Sequence, residues 1–168
     1  MSNAVKIMSV AIFCLLVALV VYVRGFATTS LSDEQIISQV MQYEMPDIIK
    51  RCQKDFGYTD DDMLMLEREL KRYLILCALK ENSEITINMY SADVDNLWHS
   101  FILFTKEYAS FCDANGHHFI HHSPRVNDTL TDEELLEARK DFRSFVEKYE
   151  KLFNEEIHPI WLLDRCAS

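Results

Sequence analysis

The sequence predicts an all-α protein: a single helical domain of about four to six helices wrapped on a central helix at about residues 91–115, preceded by an N-terminal transmembrane helix. Three observations lead there. Three glycines and three prolines among 168 residues leave few sites for tight turns. Leu, Ile, Met and Glu, all good helix formers, are plentiful. Apolar residues recur at helical spacing in stretch after stretch. The expected organisation is an anchor at residues 1–26, a linker at 27–31 and a soluble helical domain at 32–168, with its core motif at 91–124.

The anchor rests on Ile7 to Val23, apolar apart from Ser9 and flanked by Lys6 and Arg24. At ~1.5 Å per residue the run just spans a bilayer core, with both cations able to snorkel. A cleaved leader is the rival, because Gly25 and Ala27 put small residues at the −3 and −1 positions. The run exceeds the ~7–15 apolar residues of a usual leader, which selects a retained, single-pass anchor. One cation on each side leaves orientation to a slight bias, with the amino terminus in the cytoplasm and the domain outside.

The helices follow in order. Ser32 with Gln35 starts the first as a capping box, and Ile36, Ile37, Val40, Met41, Ile48, Ile49, Cys52 and Phe56 carry its apolar repeat. Pro46 should kink or divide it, and Gly57 fits its C-cap. Thr59 caps the next, with Asp60, Asp61 and Asp62 set against the N-terminal dipole and Met63, Leu66, Leu70, Tyr73, Leu74 and Cys77 as its buried stripe. That aspartate trio is a charged helix start; no glycine turn or closing glutamate of a calcium loop follows. Ser83 to Tyr90 reads as a connector. Thr131 with Glu134 opens a last helix whose Leu135, Ala138, Phe142, Phe145, Tyr149 and Leu152 form the cleanest amphipathic pattern. His158-Pro159-Ile160-Trp161 should pack the C-terminus onto the bundle.

All 27 acidic residues lie after Ser32, against 15 Lys and Arg after Gly25, so that part carries 15 − 27 = −12. Such a surface repels phosphates, and nucleic-acid binding is disfavoured. Cys52, Cys77 and Cys112 fall on apolar helix faces and read as buried free thiols rather than disulfides. No CxxC pair exists to build a zinc knuckle.

Chemistry concentrates in residues 91–124, which hold five of the six histidines. With Val94 as origin, Leu97, Trp98, Phe101, Phe104, Tyr108, Phe111 and Cys112 form one stripe at 100° per residue, read as core. Asp95 and His99 lie off it, one turn apart, where a carboxylate can hold an imidazole or share a ligand with it. His117, His118, His121 and His122 follow the helix end at Asn115-Gly116. A chain turning back at Gly116 brings His121 or His122 near His99. The same histidines also suit surface or capping roles.

The string Asp95-x-x-Trp98-His99-x-Phe101-Ile102-Leu103-x-Thr105-x-x-Tyr108-x-x-Phe111-Cys112, then Gly116, Phe119, His121-His122 and Pro124, resembles the core motif of bacterial proteins labelled glycine-rich domain-containing. It is more distantly similar to the helical domain of the plant glycine-rich domain proteins. The resemblance implies an all-helical domain and no particular chemistry. The plant members' link to RNA and stress responses involves a glycine-rich tail that this chain lacks, so that role does not carry over. The motif positions correspond to Asp95, Trp98, His99, Tyr108, Cys112, His121 and His122; His117 and His118 lie outside it.

Two functions follow as expectations. One is a membrane-tethered binding or scaffold module that presents a surface to a protein partner. The other is a metal-dependent enzyme, a hydrolase by class, using Asp95, His99 and one of His121 and His122 to hold Zn²⁺ or Fe²⁺. Cys112 is excluded from such a site by a straight-helix argument: thirteen residues beyond His99 is ~20 Å of rise.

Overall fold

Short-range signals set the helix boundaries. A computed structural model describes residues 31–79, 87–115, 119–122 and 131–162. The anchor expected at residues 1–26 and most of the linker lie outside these, as do His117, His118 and the first half of the connector. The described domain residues belong to one compact unit, Ser32–Ser168. Among the described residues there are six α-helices, no strand, and no helix long and apolar enough to cross a membrane.

Helix α1 (Asp33–Gln42) opens with the Ser32/Gln35 capping box, each side chain meeting the other's backbone amide. Pro46 does divide the apolar repeat: it takes the first position of α2 (Pro46–Phe56), where its missing N–H costs nothing. Gly57 closes α2 at φ 78°, in the left-handed region open to a residue without Cβ. Helix α3 (Asp60–Ala78) starts on a Thr59/Asp62 capping box, and α6 (Asp132–Phe153) on Thr131/Glu134.

Two expectations need correction. Residues 91–115 are not one helix but two, α4 (Ala92–Leu103) and α5 (Thr105–Ala114). The chain breaks at Phe104 (φ −83°, ψ 63°) without glycine or proline: its amide donates to Phe101 O, and its own carbonyl accepts from Tyr108. Tertiary packing drives this break. Across the bend Tyr108 and Phe111 both set their rings on Phe101, at 5.0 and 5.3 Å. Nor does this segment gather all the other helices: α2 and α3 pack on α4, but α1 and α6 pack chiefly on α3. The hub is α3, against which α1, α2, α4 and α6 all pack. Its residues Glu69 to Leu76 are buried without interruption. The expected stripe missed this because Glu69, Lys71 and Arg72 look like a solvated face. In the fold each charged head finds a partner: Lys71 Nζ reaches Glu67 (2.7 Å) and Met41 O (3.2 Å), and Glu69 and Arg72 enter a buried cluster described below.

Leu66, Leu70 and Leu74 are fully buried along α3, each contributing roughly 1.5–3 kcal/mol of transfer free energy. Helix α6 buries Phe145 and Tyr149 toward its C-terminal half, while Leu136 near its start stays exposed. A 3₁₀ turn at Pro159–Trp161 then returns the chain to α3, with His158 Nδ1 accepting from the Ile160 amide as its cap.

Candidate functional site

On α4, Asp95 and His99 sit one turn apart and face the same way, as their i, i+4 spacing dictates. His99 Nδ1 lies 3.7 Å from Asp95 Oδ2. His122 comes back from the far side of α5 and donates from Nε2 to Asp95 Oδ1 at 2.8 Å. The two imidazole centroids are 4.3 Å apart, tilted by 52°. One ligand atom from each of Asp95, His99 and His122 falls within 4.8 Å of the others, and this is the group of potential metal ligands among the described residues. Exposure is graded across it: His99 keeps 48% of its side-chain surface, Asp95 26% and His122 12%.

What brings His122 back is a chain of hydrogen bonds. The indole N–H of Trp98 donates to the Tyr108 hydroxyl (3.1 Å), which donates to the carbonyl of Ile120 (2.6 Å). Burial pushes the Tyr108 hydroxyl well above its ordinary pKa, keeping it a donor. The Ile120 backbone also bonds the Cys112 thiol, whose pKa burial still raises. Trp98, itself buried, meets the His122 ring edge-on at 4.6 Å.

Of the residues expected to form a metal site, Asp95, His99 and His122 are therefore brought together. His121 is not in the group; it is exposed and sets its ring against Phe119 at 5.1 Å. Cys112 is also outside the group, buried against Tyr108 and Ile120. The straight-helix premise used to exclude it fails at Phe104, but its thiol still lies outside the 4.8 Å group. Trp98, Phe101, Tyr108, Phe111 and Cys112 are all buried. Cys52, Cys77 and Cys112 are free thiols.

A second polar constellation was missed. Glu69 is fully buried on α3, its Oε2 accepting from Trp161 Nε1 (2.8 Å) and the Tyr149 hydroxyl (2.7 Å) and its Oε1 from Arg68 Nε (3.0 Å). Arg72 donates to the Tyr149 hydroxyl (2.6 Å) and to Glu155 (2.8 Å), with its guanidinium 4.9 Å over Phe153. One signal was available: Glu69 sits inside the Leu66–Leu70–Tyr73 stripe, where a lone carboxylate needs buried donors.

Fold and site define a small helical bundle with a two-histidine, one-carboxylate cluster at the junction of α4 and the segment after α5. Residues 33–159 match the UCP032817-like family, and the chain belongs to that family. This corrects the resemblance to glycine-rich domain proteins. That resemblance rested on residues 91–124 alone, where buried aromatics at helical spacing serve packing; the family match takes in all six helices. Comparison with curated proteins and with solved structures returns no match.

Proposed function

We propose that the protein is a membrane-tethered helical module that binds one divalent transition-metal ion, Zn²⁺ or Fe²⁺, through Asp95, His99 and His122. The observation that carries this reading is the convergence of three ligand atoms within 4.8 Å from two separate segments. Tetrahedral ligands at ~2.0–2.2 Å from an ion lie about 3.3–3.5 Å from one another. The separations of 2.8 Å and 3.7 Å, made by the two different oxygens of Asp95, bracket that span, and the ligand atoms of all three residues lie within 4.8 Å of one another. A bound ion ties residues 119–122 to α4, shaping the surface offered to a protein partner. Tethering rests on the apolar run Ile7–Val23.

The exposure of His99 supports a second reading, a metal-dependent hydrolase. A coordination position left open to solvent on that side holds water, whose pKa a bound Zn²⁺ lowers to about 7.

Titration of the chelator-treated, detergent-solubilised full chain with Co²⁺ tests the site. One equivalent should develop visible absorption that is lost in Asp95→Ala and His122→Ala and kept in His121→Ala. Absence of saturable binding, or equal loss in His121→Ala, refutes the assignment.

A further inference from the structure

The row of α4 that carries Asp95 and His99 does not stop at the histidine. Leu103 follows one turn later, so the three side chains lie one above another on the same side of the helix. Leu103 keeps 65% of its surface in solvent and is the last residue of α4, so the row ends with it. Ile102, also one turn beyond His99, is half-buried beside it. At ~1.5 Å per residue, Leu103 stands ~6 Å along the helix axis from His99. Both ends of that interval are open, since His99 keeps 48% of its side-chain surface. A group that occupies the solvent side of an ion held by Asp95, His99 and His122 therefore has an exposed aliphatic side chain as its neighbour.

Charge narrows what that group is. A divalent ion held by one carboxylate and two neutral imidazoles keeps one positive charge, which a single anionic oxygen ligand cancels. Charges elsewhere on this acidic domain are screened beyond ~8 Å at physiological salt, so the balance at the ion itself decides. The leucine adds the second requirement: the ligand gains affinity by laying apolar surface on it.

We propose that the open position, on the metal reading above, takes a short aliphatic monocarboxylate, its carboxylate on the ion and its alkyl chain along Leu103 and Ile102. The ~6 Å between His99 and the end of α4 accommodates a chain of about four to six carbons. Inorganic anions supply the charge without the chain, and alcohols the chain without the charge. Both halves of the ligand are needed.

The Co²⁺-loaded full chain in non-ionic detergent, titrated with acetate, butyrate and hexanoate, tests this through its visible spectrum. All three should shift the band saturably. A methylene taken wholly out of water is worth at most about fourfold in affinity, and one laid on an exposed leucine about twofold, so hexanoate should bind about tenfold more tightly than acetate. Hexanol should leave the band in place. Leu103→Ser, at an exposed position, should keep the affinity for acetate and bring hexanoate to within about twofold of it. Equal affinities for the three acids, no shift with any of them on a chain that holds Co²⁺, or an undiminished preference in Leu103→Ser overturns this proposal and leaves the metal reading standing. Failure of Co²⁺ to bind overturns both.

Discussion

Two buried-facing carboxylates on neighbouring helices receive opposite treatment. Glu69 on α3 has no exposed surface and accepts from Arg68, Tyr149 and Trp161, so every donor it needs comes from the protein. Asp95 on α4 keeps a quarter of its surface and meets two imidazoles, one of them half exposed. A sealed, saturated carboxylate holds helices together; an open one with basic neighbours is available to a ligand. Tyr73 stands between the two, its ring 6.0 Å from Trp161 on one side and 5.2 Å from Trp98 on the other. Burial and completeness of partners, rather than residue type, are what set these two acids apart in this bundle.

The largest difference between them should appear on truncation. Glu69→Ala strips Trp161 and Tyr149 of their buried acceptor and leaves Arg72 with Glu155 alone as a carboxylate partner. A loss of about 3–5 kcal/mol in urea unfolding is expected. Asp95→Ala, measured with chelator present, removes one hydrogen bond at a solvent-facing position and should cost about 1 kcal/mol. Comparable losses in the two variants would erase the distinction.

How much of this was legible beforehand follows the range of the forces involved. Capping by Ser32, Thr59 and Thr131, the division at Pro46 and the left-handed stop at Gly57 depend on residues within a turn of one another, and the sequence displays them directly. The Asp95–His99 pair is equally local. The choice between His121 and His122 was not legible, because it depends on Tyr108 gripping the carbonyl of Ile120. The break at Phe104 was hidden for the same reason: no glycine or proline marks it, and rings packed across the bend produce it. The role of α3 as hub was masked by its own charges, whose partners lie up to 92 residues away in the Glu69–Trp161 case.

Alkaline pH should strain the sealed constellation. Burial first, and then its hydrogen bond to Glu69, push the Tyr149 hydroxyl up to about 12. A raised folded-state pKa means that the native state holds the proton more tightly than the unfolded chain does. The stability it contributes is fully present below about pH 10, the unfolded value, and is lost as pH rises through 10 toward about 12. Urea midpoints of the wild type should therefore fall over that interval, with Tyr58, also pushed up to about 12, adding to the slope. Tyr149→Phe should start less stable and fall less steeply. Parallel slopes in the two proteins would show that Tyr149 does not couple protonation to folding.

The smallest effect is expected at His99, and there the comparison becomes sharpest. Half of this side chain is in solvent and its nearest charged neighbour is 3.7 Å away, so His99→Ala without metal should stay within about 0.5 kcal/mol of wild type. With metal the two should part. An ion that binds only the native state stabilises it by about 2.7 kcal/mol at a free concentration 100 times its Kd. Zinc should supply that increment to the wild type and most of it should vanish in His99→Ala, the loss of one of three ligands. Glu69→Ala, though far weaker at the outset, should keep the increment, because Tyr73 links the two constellations by ring packing and not through a shared charge. An increment absent from Glu69→Ala would mean that the sealed and open carboxylates act as one unit. One undiminished in His99→Ala would place the ion elsewhere.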